Sequence, residues 1–169
     1  MGQFLLPLIA GVVSAISTQG LIYFFDLRKA WRQSNHLALR LSNEFERFAE
    51  VCMSSICRNR DSWQESNNPD RQITSLPDSP QLFDDDPGWE TLNRPLAAEI
   101  LGFRQAIEHA SGYVSNEFYF GSPATAWVIR DDQAVGLGVG AASIAERLRD
   151  VHGQHKPQFE WDYHDRLDQ

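Results

Sequence analysis

The sequence predicts an all-α chain: an N-terminal transmembrane helix followed by an antiparallel three-helix bundle, with a long loop between the bundle's first and second helices. Three observations predict it. Residues 4–25 contain no Asp, Glu, Lys, Arg or His, three later stretches repeat apolar residues in threes and fours, and a proline-bearing stretch without that period separates the first two of them.

The predicted anchor, residues 1–26, is built on FLLPLIAGVVSAISTQGLIYFF, of which 12 residues are Leu, Ile, Val or Phe. Its 22 residues span about 33 Å as a helix, enough for a hydrocarbon core of about 30 Å with some tilt. Only Met1, Gly2 and Gln3 precede it, without the basic n-region of a cleaved secretory signal, so an uncleaved span is expected. Arg28, Lys29 and Arg32 follow it, and flanking basic residues prefer the cytoplasm. The expected topology is therefore a single pass through a bacterial inner membrane, N-terminus outside and domain inside, with Tyr23, Phe24, Phe25 and Trp31 at the interface. Gly11, Ser14 and Thr18 recur on one face of the span. Small residues there let a second membrane helix approach, which makes them candidate interaction residues.

Residues 27–58 form the predicted first cytoplasmic helix, with Leu27, Trp31, Ser34, Ala38, Leu41, Phe45, Phe48 and Cys52 on one row. No Pro or Gly interrupts residues 21–68, so the anchor is expected to continue into this helix as one rod. Residues 59–93 read as a long acidic surface loop, broken by Pro69, Pro77, Pro80 and Pro87, which at this length is expected to be functional, mobile, or pinned to the bundle by Leu82, Phe83 and Trp89. Within Asp84-Asp85-Asp86, Asp86 before Pro87 is expected to cap a short turn. Trp89 is a further candidate interaction residue.

Residues 94–153 form the predicted helical hairpin. Asn93 serves as N-cap and Pro95 sits in the first turn, ahead of Leu96, Ile100, Phe103, Ile107, Ala110, Val114 and Phe118. For residues 113–129 a strand hairpin is the alternative, because the stretch is rich in aromatic and β-branched residues. Ser122-Pro123 after Gly121 favours a turn between two helices. The third helix then places Trp127, Ala134, Ala141 and Leu148 at sevens, and Leu137, Ile144 and Val151 at the interleaved sevens, where Arg130 is the break. A buried unpaired guanidinium is costly, so Arg130 is expected to reach solvent, lipid head groups or an acid such as Glu117. Gly153 suits the helix C-terminus. In the tail, 154–169, Trp161 within Phe159–Tyr163 is the last candidate interaction residue.

Composition excludes several classes. A net charge of −8 and a pI near 5.0 argue against a nucleic-acid partner. Thirteen of the 15 basic residues are arginines, a usage that points to a GC-rich bacterial genome. Cys52 and Cys57 lie about 140° apart around a helix, badly placed to bridge, and read as ordinary buried thiols. Gly136-Leu137-Gly138-Val139-Gly140 matches no phosphate-loop spacing; close helix packing through Gly136 and Gly140 is expected instead. His152, His155 and His164 lack a metal-ligand spacing, and no nucleophile, base and acid can be assembled. No catalytic residue, metal or cofactor is therefore assigned, and whether the chain is an enzyme stays open.

The segments Glu44–Cys52, Leu76-Pro77 with Trp89–Phe103, Gly136–Leu148 and Trp161-Asp162 resemble small bacterial membrane-anchored proteins of uncharacterised function. The resemblance implies a membrane span and a cytoplasmic helical domain, and brings no active site. The expected role is a membrane-tethered module that binds a protein partner or its own copy, or transmits a state across the anchor. The alternative is a membrane-surface enzyme or small-ligand sensor with a site between helices or under the 59–93 loop.

Overall fold

A computed structural model of the chain describes the backbone of residues 5–66 and 74–155, and the side chains of 19–61 and 74–155 apart from position 123. Along the chain come α1 (Leu5–Ser66), a 3-10 turn (Pro87–Thr91), α2 (Arg94–Phe120) and α3 (Pro123–Val151), with no strand among the described residues. The fold is all-α, with three helices. Residues 113–129 form no strand hairpin: α2 continues to Phe120, the Gly121 N–H donates to the Glu117 carbonyl at 2.8 Å, and Ser122 opens α3.

Helix α1 holds 62 residues, about 93 Å at the α-helical rise, and is continuous from the stretch expected to be the anchor into the bundle. It passes the boundary predicted at Arg58 and ends at Ser66. A tertiary contact supports the extra turns, since the Asn59 side chain is buried and donates to Asp131 Oδ1 at 3.3 Å. Its buried seam is Ser34, Ala38, Leu41, Phe45, Phe48 and Cys52, with Leu37, Ala49 and Ile56 beside it. Leu27 and Trp31, expected on the same row, are instead exposed, Trp31 at 63%. The period is right but the partner stops short: α3 ends at Val151, and just beyond it His152 and Gln154 meet Asn35, so nothing in the described bundle covers α1 before residue 30.

The expected antiparallel arrangement holds for two of the three helix pairs. α3 runs against α1, as Asn59–Asp131 at one end and Glu46–Arg149 at the other require. It also runs against α2, pairing Phe118 with Trp127 and Glu99 with Arg147. α1 and α2 therefore run the same way, and Phe103 of α2 makes edge-on ring contacts with Phe45 and Phe48 of α1 at 5.3 and 5.8 Å. The long connection makes this possible, because it returns along the bundle and starts α2 beside the early bundle turns of α1.

Its described part, residues 74–93, is a strap laid on the bundle. Leu76, Leu82 and Leu92 are buried, and Phe83 and Trp89 pack against the core. Arg40 fixes the strap twice, lying 3.6 Å from the Phe83 ring centre and donating to Asp86 Oδ2 at 3.0 Å. Asp86 Oδ1 accepts from the Gly88 N–H at 2.9 Å, the expected cap on the turn that begins at Pro87. Gly88 then touches α1: a Cβ there would stand 2.8 Å from both the Gln33 carbonyl oxygen and Leu37 Cβ. One contact is backbone and cannot rotate away. Gly88→Ala is expected to cost about 1–3 kcal/mol through overpacking, read as a lower guanidinium midpoint; a change within about 0.5 kcal/mol would show the strap lifts freely.

The small residues of α3 also act through contact. A Cβ on Gly138 would meet Cys52 Cβ at 3.3 Å, and one on Gly140 would meet Phe103 at 3.2 Å. Gly136, expected to share this role, is exposed with open space around it. The packing glycines are thus 138 and 140, which face α1 and α2 respectively.

Candidate functional site

Beneath the strap, between Ser75–Gln81 and the middle turns of α1, lies a cavity of about 520 Å³. Glu44, Arg47, Val51, Ser55 and Arg58 line it from α1, and Arg130 from α3. The strap is held there by the burial of Leu76 and Leu82 in the core, which contributes roughly 1.5–3 kcal/mol per side chain.

Arg130 is the feature that departs most from expectation. It is fully buried and reaches neither solvent nor Glu117. Its Nη1 donates to Asp131 Oδ1 at 2.7 Å and its Nε to the Ser75 carbonyl at 3.2 Å. The acid is supplied by the next residue, and the strap, invisible to a heptad count, covers the guanidinium. Nη2 meets no acceptor among the described residues. A buried charged donor left unmade costs more than the about 1–3 kcal/mol of a neutral one. The only sequence signal was the break that Arg130 makes in an otherwise apolar row at sevens.

Beside it, burial pushes the Cys52 thiol up to about 12, against the opposing pull of the Arg130 guanidinium. Cys57 is exposed, so the expectation of two buried thiols holds for Cys52 alone. Since the thiolate is the nucleophile, an aromatic disulfide reagent is expected to modify one thiol in the native protein and the second only on unfolding. Two equally fast thiols would contradict the packing around Cys52.

A second polar cluster closes the other end of α3. Arg149, buried, donates to both carboxylate oxygens of Glu46 at 2.7 and 2.8 Å, to Asn43 Oδ1 at 2.8 Å and to the His155 carbonyl at 3.1 Å. The His152 Nδ1–H donates to Asn35 Oδ1 at 2.7 Å, leaving a buried Nε2 with no partner among the described residues. Burial lowers the His152 pKa below 6.5. The unfolded chain then binds more protons between the two values, so His152 contributes stability that is complete above about pH 6.5 and is lost as pH falls through the folded value. Comparing denaturation midpoints at neutral and mildly acid pH should show this loss, and His152→Gln should flatten it.

Other candidate residues fall elsewhere. Trp89 is half-buried, its indole N–H donating to the Phe83 carbonyl at 3.0 Å, which makes it a fastener of the strap. The side chains of Gly11, Ser14 and Thr18, together with Trp161 and His164, lie outside the described residues. Among the described residues no group of three or more His, Cys, Asp or Glu is placed to hold a metal ion. Among them, too, no helix is long and apolar enough to cross a membrane, so the span expected over 4–25 is not supported there; its positions 4–18 lie outside the residues with described side chains. A shallow depression around His109 and Tyr113 is bounded by α2 alone and encloses no group from another element. The chain matches no protein-family model, and comparison with curated proteins and with solved structures finds no match either.

Proposed function

We propose that the chain is a membrane-tethered helical module, held at the cytoplasmic face of a bacterial inner membrane by its N-terminal segment and presenting its bundle to a protein partner. One observation supports this above the others. Leu21, Ile22, Tyr23, Phe24, Phe25, Leu27 and Trp31 stand more than half exposed on a helix that continues unbroken into the bundle. Seven large apolar side chains within 11 residues form a patch of the kind that marks a membrane or protein contact. The aromatic residues suit an interface, and Arg28, Lys29 and Arg32 follow at the level where anionic head groups would lie. At the opposite end of the bundle, Tyr119 and Phe120 are 82% and 88% exposed at the α2–α3 turn, where a partner is reachable clear of the bilayer.

Alkaline carbonate extraction of membranes carrying the full chain tests the tether: the protein is expected to stay with the lipid pellet, and its release overturns the reading. A compartment-sensitive reporter fused after Gln169 is expected to report the cytoplasm. For the partner, crosslinking from Tyr119 in native membranes is expected to capture a stoichiometric protein; recovery of the chain alone counts against it. If Gly11, Ser14 and Thr18 join two copies, Gly11→Leu reduces the oligomer in both detergent and membranes. A ligand-sensing role is the second reading, favoured by the cavity under the strap.

A further inference from the structure

The geometry points to the cavity beneath the strap as a binding site for a small, hydroxyl-bearing phosphate ester, with Arg130 as its innermost contact. This deepens the ligand-sensing reading and is independent of the membrane tether.

The ligand class follows from which donors remain. Arg130 has committed its one Nε–H to the Ser75 carbonyl and one Nη1–H to Asp131, so the Nε–Nη2 edge of the guanidinium is not free to grip a planar carboxylate as a fork. Nη2 keeps both of its N–H bonds, buried without an acceptor among the described residues, on a side chain that lines the cavity. It suits one oxygen of an anion whose other oxygens point in different directions. Arg47 and Arg58, exposed on α1 and lining the same cavity, add positive charge toward those other oxygens. A phosphoryl group has that shape, and guanidiniums in the lining offer it charge-assisted bonds in a site partly withdrawn from water.

The rest of the lining sets the body of the ligand. Glu44 and Asp78 are acceptors that repel a bare anion but receive hydrogen bonds from hydroxyls. Phe48, Val51, Leu76, Pro77 and Pro80 supply apolar wall. A polyol phosphate matches this mixture better than inorganic phosphate does, and about 520 Å³ falls within the usual range for small-molecule sites.

The phosphoryl group could come from solution or from a lipid head group. Phe48 lies 22 residues beyond Asp26, about 33 Å along α1, which favours a soluble ester if α1 rises from the bilayer.

Calorimetric titration of the full chain in detergent with glycerol 3-phosphate, with glycerol and inorganic phosphate as controls, tests the site. Saturable binding is expected for glycerol 3-phosphate, weaker by about tenfold for inorganic phosphate and absent for glycerol. Arg130→Lys, which keeps the charge but removes Nη2, is expected to abolish binding. Because that buried change can also unfold the chain, Arg47→Ala with Arg58→Ala serves as the exposed variant, expected to weaken binding about tenfold with an unchanged unfolding midpoint. Displacement of glycerol 3-phosphate by phosphatidic acid in nanodiscs identifies a lipid source; failure to displace identifies a soluble one, and both support a phosphoryl site. No saturable binding up to about 10 mM, equal binding of glycerol, or undiminished binding by the exposed variant overturns the proposal.

Discussion

Arg149→Ala should lower the unfolding free energy by about 3–5 kcal/mol, one of the two largest effects expected in this chain. Four hydrogen-bond distances would be irrelevant if the guanidinium were exposed, but only 8% of the Arg149 side chain and 16% of the Glu46 side chain reach solvent. Removing Arg149 leaves the Glu46 carboxylate withdrawn from water without its cation, and strips Asn43 and the His155 carbonyl of their donor. Most of the loss is this stranded charge, so Glu46→Gln on top of Arg149→Ala should recover part of it. Guanidinium denaturation followed by tryptophan fluorescence reads both variants. A loss below about 1 kcal/mol for Arg149→Ala would place the pair among surface ion pairs and contradict its burial.

Phe45→Ala should cost about 3–5 kcal/mol for a different reason. Phe45 is completely buried between α1 and α2, with its ring edge-on to Phe103. Truncation opens a cavity that the packed core around it closes only in part. It also removes a ring pair worth about 0.5–1.5 kcal/mol beyond its area. Phe45→Leu, which keeps more of the volume, should lose less. Trp31→Ala is the contrast: on the exposed part of α1 it should change bundle stability by no more than about 0.5 kcal/mol while weakening partition into anionic vesicles. A Trp31 variant as unstable as the Phe45 variant would mean that the bundle covers residues 21–31 after all.

The candidate site divides along the same line between pattern and packing. Its wall on α1 was legible only at Phe48, which sits on the predicted row. Its roof was legible as a connection that Leu82 could pin to the bundle: Pro77 and Pro80 announce a break in helix, and nothing in them tells that the Ser75 carbonyl will lie on Arg130. Arg130 itself was visible as an anomaly, and its placement was misjudged because the expected acid was sought a few turns away, at Glu117, and not next door at Asp131.

The sequence by itself determined the three helices, their caps at Asp86 and Asn93, and the seam on each helix that goes inward, because these depend on backbone hydrogen bonding and on a period that local chemistry repeats. Tertiary structure alone decided where the α1 seam stops being buried, that α1 and α2 run the same way, and that Arg130 is enclosed. Each of those depends on how far a second segment reaches along a first. A heptad row records that a face is apolar; it carries no record of the length of its partner or of what the intervening chain lies upon.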